Sequence, residues 1–343
     1  MRKSPTGWLL RGLAVVAMTA IIALWVLVQP LPETPPPTLT PAASEAAQGP
    51  TSTPPPTRTL TPTPTATPIP THTPTSTPTP GEIEGPTATI SATTVVEAPV
   101  KLPDVQLAGR VEQHTYFSQV TGKEEPYRIY LPPDYDQTDE RRYPALYLLH
   151  GWPYDESHWD NLGADEVADT GIRAGTLPSF IMVMPRADPD GIYVTTAGGD
   201  NSFEGQVLHD LIPQVEAVHR VSTDRAGRAI GGISRGGVWA LEIGFRHPDL
   251  FAAVGGHSPA LKHNMAPTPY DPFHLLEQPG VAALRIYLDA GDTDWALEHT
   301  QALHEALDAR GIASQFAVHS GGHTDNLWAA NLAEYVAFYA AGW

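Results

Sequence analysis

Residues 99–343 predict an α/β fold built on an open, mostly parallel, doubly wound sheet. Three observations lead there. Short runs rich in Ile, Leu, Val and Tyr recur along the chain. Helical patterns lie between them. Several of the runs show little apolar–polar alternation, as strands covered on both faces do. The expected strands are Arg128–Leu131, Ala145–Leu149, Phe180–Met184, Ala229–Ile233, Ala252–Gly255, Leu284–Leu288 and Gln315–Val318. Among the helices, Phe203–His219 repeats apolar residues at Val207, Leu208, Leu211, Ile212, Val215 and Val218. Val238–Arg246 is a second. Trp295–Arg310 sets Leu297, Leu303 and Leu307 on one side and stops at Gly311, a helix-ending residue. Asn326–Ala340 closes the chain. In such sheets ligands sit beyond the carboxyl ends of the strands.

The first 98 residues read differently. They hold 19 of the 36 prolines and only nine charged side chains. Arg2, Lys3 and Arg11 precede an apolar run from Gly12 to Val28, interrupted by Thr19. That length is at the short end of a membrane span, and Trp8–Leu10 can extend it. Residues 1–29 are therefore expected to form an N-terminal transmembrane helix, or a signal sequence, with the N-terminus inside. The run ends in Val28-Gln29-Pro30-Leu31-Pro32, which lacks a small-x-small cleavage site. An anchored, extracytoplasmic domain is expected, or a secreted one if the segment is cleaved. Residues 30–98 are Pro/Thr-rich, with Thr61-Pro62-Thr63-Pro64 echoed in Thr75–Pro80. Proline favours an extended path, and few large apolar side chains are present to offset ordering entropy. A disordered linker acting as a tether is expected.

Composition excludes several classes. Residues 99–343 carry 16 Lys and Arg against 33 Asp and Glu, a net charge of −17. Nucleic-acid phosphates need a basic face, so a nucleic-acid partner is not expected. The chain has no cysteine. Disulfides, Cys-ligated zinc, iron–sulfur clusters and thiol catalysis are thereby removed. His299 and His304 are five apart with no H-E-x-x-H pattern, so no metal site and no cofactor are expected.

The chemistry concentrates at Gly232-Ile233-Ser234-Arg235-Gly236. This G-x-S-x-G follows an expected strand and precedes an expected helix. A serine on so sharp a turn has its oxygen lifted above the sheet edge. The next amide, that of Arg235, then points at a developing oxyanion near a helix N-terminus. A serine hydroxyl needs a base, and the base an orienting acid, which this fold supplies in the chain order Ser, Asp or Glu, His. His323 follows the last expected strand and a turn, in Ser320-Gly321-Gly322-His323, and is the expected base; His319 is the rival. The segment Asp289-Ala290-Gly291-Asp292-Thr293-Asp294-Trp295 offers three acids. Asp294 is favoured from its place in the loop, with Asp292 next and Asp289 read as a strand-end residue. The second oxyanion donor is expected from the loop after Leu148-Leu149-His150-Gly151, as the Trp152 backbone amide.

These residues also carry a resemblance. Arg142–Gly151, Leu211-Ile212-Pro213, Arg228–Ser234, His247-Pro248-Asp249-Leu250-Phe251, and Gly321-Gly322-His323 with Trp328 resemble the esterase D family of α/β-hydrolases across most of residues 107–343. The resemblance implies the α/β-hydrolase fold and a triad of Ser234, Asp294 and His323. It implies a serine carboxylic ester hydrolase working through an acyl-enzyme, with feruloyl or acetyl esters of polysaccharide as a substrate class. A cell-envelope acyltransferase with the same triad is the alternative; a non-catalytic surface-binding domain is a third. The family often has Met after the nucleophile. Here Arg235 brings a permanent cation to the pocket unless Glu204 or Asp200 neutralises it. Trp152, Trp295 and Trp328 are expected substrate-binding side chains, because indoles stack on sugars and aromatic acyl groups.

Overall fold

The computed structural model describes residues 106–137, 140–187 and 198–343. The expected anchor, the linker and the boundary at residue 99 lie outside the described residues. Among the described residues no helix is long and apolar enough to cross a membrane.

The described residues form an eight-stranded sheet in the order β1-β2-β4-β3-β5-β6-β7-β8. The strands are β1 (Arg110–Ser118), β2 (Lys123–Leu131), β3 (Ala145–Leu149), β4 (Ile181–Pro185), β5 (Arg228–Ile233), β6 (Ala253–His257), β7 (Arg285–Gly291) and β8 (Gln315–His319). From β4 to β8 every neighbouring pair is parallel; β1–β2 and β2–β4 are antiparallel. The seven expected strands are present. β1 was not expected. It lies at the sheet edge, and its Arg110, Glu112 and Gln113 leave no apolar run to read.

Six helices are used below: α1 (His158–Leu162), α2 (Ala164–Ala174), α3 (Ile212–Val218), α4 (Arg235–Arg246), α5 (Leu297–Asp308) and α6 (Asp325–Ala340). α1 and α2 were also not foreseen. α1 spans five residues, too few for a period, and the apolar stripe of α2, Ala164, Val167, Ala168 and Ile172, rests largely on small residues beside the buried Asp165 and Asp169. The single helix expected over 203–219 is three pieces. A turn at Phe203–Gly205 and a π-helical stretch at Gln206–Leu211 lead into α3. Pro213, in the first turn of α3, has no amide to return to the carbonyl four residues back, which opens the wider turn.

The central strands β3 to β6 are buried throughout. Their side chains divide by parity between two cores. Tyr147, Leu149, Ile181, Val183 and Ile230 pack on one face with α3, α4 and α5. Leu146, Leu148, Met182, Met184 and Ala229 pack on the other with α1, α2 and α6. This period-two division between two covered faces is why the runs read as continuously apolar. It leaves the carboxyl ends of β3, β5, β6 and β7 side by side. There the loops bearing Gly151, Ser234, Ser258 and Asp294 converge.

Candidate active site

Ser234 stands between β5 and α4 with φ 54° and ψ −114°. A positive φ is costly for a residue with a Cβ, on the order of 1–3 kcal/mol. Its neighbours hold it there. The Ser234 amide donates to His257 O at 2.9 Å, and its carbonyl accepts from the Ala260 amide at 2.9 Å. The turn also needs its two glycines. A Cβ on Gly232 would lie 2.2 Å from Gly236 O, and one on Gly236 would lie 2.3 Å from Leu149 O.

Three side chains far apart in sequence meet here. Ser234 Oγ lies 2.9 Å from His323 Nε2. His323 Nδ1 lies 2.9 and 3.1 Å from the two oxygens of Asp294. With the proton on Nδ1, His323 donates to Asp294 and accepts from the serine hydroxyl. Burial alone would push the Asp294 carboxyl up. Hydrogen bonds from His323, from Ser258 and from the Ala296 amide outweigh it and hold the group below the usual carboxylate range.

The other expected candidates are engaged elsewhere. Asp292 accepts from the Gly321 amide at 2.9 Å, and so pins the loop carrying His323. Asp289 is fully buried and bonded to His257 Nδ1 at 2.8 Å and to the Tyr335 hydroxyl at 2.7 Å. His319 lies 3.4 Å from the Tyr287 hydroxyl and 3.8 Å from Asp289, at the end of β8.

The tryptophans divide. Trp152 and Trp295 are 54% and 39% exposed. The Trp295 ring lies 4.1 Å from that of His323. Trp328, expected to face substrate, does not: it is 3% exposed, and its indole N–H donates to Ser258 Oγ at 3.1 Å. Its ring packs edge-on against His323 at 5.0 Å. Ser258 in turn bonds Asp294, so an unforeseen line runs Trp328, Ser258, Asp294, His323, Ser234. Ser258 sits at φ 46°, a conformation its sequence does not announce.

Arg235 is buried, and its guanidinium lies 3.5 Å from His263 O. Both acids named as its neutralisers are engaged by other side chains. Glu204 holds Arg246 at 2.8 Å and His247 at 2.5 Å, and Asp200 faces His209 at 3.3 Å. Among the described residues Glu242, two turns along α4, feels the Arg235 charge. Burial, then the neighbouring Glu204 charge, pushes its carboxyl up to about 8 against the pull of Arg246 and Arg235. As the first residue of α4, Arg235 also presents one of the amides that lack an intrahelical partner.

The loop after β3 is held at Gly151. Its carbonyl accepts from the Tyr154 amide at 2.9 Å and lies 2.8 Å from His150 Nδ1. The Ala187 amide donates to His150 Nε2 at 2.9 Å, which leaves the imidazole proton on Nδ1. Burial pushes His150 down to about 4, so the ring is neutral. Among the described residues no group of three or more His, Asp or Glu converges as a metal site would require.

The family model described as Putative esterase matches residues 118–339. The chain belongs to that family. Its members and solved neighbours place it among esterases of the α/β-hydrolase type. An endo-1,4-beta-xylanase/feruloyl esterase of Xylanibacter ruminicola is 32% identical over 153 residues, covering 43% of this chain and 21% of the relative. An iron(III) salmochelin esterase of Escherichia coli O6:H1 is 26% identical over 224 residues, 61% of this chain and 53% of the relative. The chain thus spans from a fifth to about half the length of these curated relatives. A solved ferulic acid esterase superposes with a TM-score of 0.62 at 26% identity, over 68% of this chain and 99% of that one.

Proposed function

We propose that this member of the Putative esterase family is a serine carboxylic ester hydrolase. The observation that carries the reading is the continuous contact from Ser234 through His323 to Asp294 on a strand–turn–helix. In the proposed cycle His323 Nε2 takes the Ser234 proton as Oγ attacks the ester carbonyl. Asp294 fixes the imidazole tautomer and stabilises its cation. The amides of Arg235 and Trp152 receive the oxyanion, each contributing about 3 kcal/mol. His323 then protonates the leaving alkoxide, and water, deprotonated by the same base, clears the acyl-enzyme.

Feruloyl or acetyl esters of polysaccharide are the proposed substrates. The exposed Trp295 beside His323, and the exposed Trp152 next to the Gly151 that lies against Ser234, support this, since an indole face stacks on an aromatic acyl group or a sugar. So do the names of the feruloyl and ferulic acid esterases to which the chain is similar. The apolar run at Gly12–Val28 and the Pro/Thr-rich stretch support a domain held outside the cytoplasm.

The test is hydrolysis of p-nitrophenyl acetate and methyl ferulate by the full chain beside Ser234→Ala. Turnover and fluorophosphonate labelling that both vanish in the variant support the reading. Equal rates in the two proteins, or none in either, defeat it.

A further inference from the structure

Two loops must keep register for this chemistry: the one bearing the Trp152 amide and the one bearing His323. A single buried side chain touches both. His158, the first residue of α1, is 2% exposed. Its Nδ1 accepts the Gly151 N–H at 3.2 Å. That leaves the ring proton on Nε2, which donates to Asp325 Oδ1 at 3.2 Å. Asp325 opens α6 two residues after His323.

We propose that His158 is a positioning residue that latches the Gly151–Trp152 loop to the His323 loop through Asp325. The inference rests on the reading of Ser234 as nucleophile. Gly151 has no side chain to hold its peptides in place, so its backbone contacts must do it. Its carbonyl is taken by the Tyr154 amide, and its N–H by His158. In a planar trans peptide the C=O and N–H point opposite ways, so fixing the Gly151 carbonyl aims the Trp152 N–H away from Tyr154. The loop also lies against the nucleophile: a Cβ on Gly151 would be 3.5 Å from Ser234 Cβ and 3.5 Å from His158 Cε1.

The rings around His158 serve the same end. Tyr154 stacks on it at 3.8 Å with planes 5° apart, and Tyr154 also hydrogen-bonds Asp325. Trp328 meets His158 edge-on at 5.9 Å and His323 edge-on at 5.0 Å. Burial raises the Asp325 carboxyl, but the hydrogen bonds from His158 and Tyr154 bring it below the usual range.

His158→Phe keeps a ring against Tyr154 and deletes both hydrogen bonds. His158→Asn restores an acceptor near the Nδ1 position. In the full chain, kcat on p-nitrophenyl acetate is expected to fall about 100-fold in His158→Phe with KM within about twofold, and to recover to within about fivefold of the parent in His158→Asn. Hydrogen exchange of the Gly151 amide, read by NMR, should quicken in His158→Phe and stay slow in His158→Asn. Should His158→Phe fail to fold, Asp325→Ala, which like His158→Asn keeps the Gly151 contact and removes the link to Asp325, is expected to lower kcat about fivefold and to leave Gly151 exchange slow, and a kcat within threefold of the parent overturns the proposal. A kcat within threefold of the parent, or an asparagine variant no better than phenylalanine, overturns the proposal. Loss of turnover in the parent, or its survival in Ser234→Ala, overturns the esterase reading instead. In that case Gly151 exchange, which needs no substrate, decides the latch, and exchange unchanged in His158→Phe overturns it.

Discussion

Asp289, Asp292 and Asp294 lie within six residues of one another, yet their surroundings give them three tasks. Asp289 ties β7 to His257 on β6 and to Tyr335 on α6 in a buried network. Asp292, three residues further, caps the His323 loop through the Gly321 amide. Asp294 reaches His323 itself. An amide at 294 presents an N–H₂ or a neutral oxygen to Nδ1 and favours the wrong imidazole tautomer, so Asp294→Asn is expected to lower kcat by about 10⁴-fold. Asp292→Asn keeps an oxygen for Gly321 and should cost less than about tenfold. Steady-state rates of the two variants on one ester check this. A larger loss at Asp292 would move the acid role there.

At the scale of elements, α6 is joined to the sheet by a hydroxyl inserted between two strands. Tyr339 on α6 lies 2.9 Å from His257 Nε2. Its oxygen would sit 1.9 Å from a Cβ built on Gly231 of β5 and 1.9 Å from one on Gly255 of β6. The two glycines are therefore the room in which the tyrosine sits. Gly255→Ala should destabilise the domain by about 1–3 kcal/mol, toward the upper end because the obstructing hydroxyl is bonded rather than free to swing. Urea titration at neutral pH measures it, and an unchanged midpoint would mean that Tyr339 relocates at no cost. The same helix carries Asp325 at its first residue, so one element both seals a core and anchors the candidate site.

For the whole molecule, net charge and burial together shape the response to pH. The chain carries a formal −18, and two buried groups have opposite effects. His150 is pushed down to about 4 by burial. Between its unfolded value and 4 the unfolded chain binds the extra proton, so its contribution is complete above about 6.5 and is lost as pH falls. Glu242 is pushed up to about 8. Here the folded chain binds the extra proton, so its contribution is complete below about 4.5 and is lost as pH rises through 8. Each slope is at most about 1.4 kcal/mol per pH unit, and the two offset one another between about 4.5 and 6.5. Unfolding midpoints in urea should therefore be highest on the acid side of neutrality and decline toward pH 8. Glu242→Gln should flatten the alkaline decline. A decline as steep in the variant as in the parent would assign it to other groups.

How much of this was legible in the sequence follows from the range over which each feature is set. Strand–helix alternation, the apolar central runs and the glycines around Ser234 are local, and each could be read because its physical cause lies within a few residues. The edge strand β1 could not, since only two of its nine residues are buried and its partner lies on the next strand. α1 escaped because it is too short to show a period, and α2 because its apolar stripe rests largely on two alanines set among aspartates. Around the candidate site, the sequence by itself determined the residue types, their order along the chain and the strand–turn–helix that lifts Ser234. Tertiary structure decided the rest. Contacts spanning 89 residues from Ser234 to His323, and 167 from His158 to Asp325, depend on how strands order in the sheet and which loops that order brings together. The same packing turned Trp328 inward to Ser258, left Trp152 and Trp295 facing solvent, and sent Glu204 to Arg246 rather than Arg235. A side chain's partner is set by the shape of the space around it, and that space exists only once the two cores have closed on the sheet.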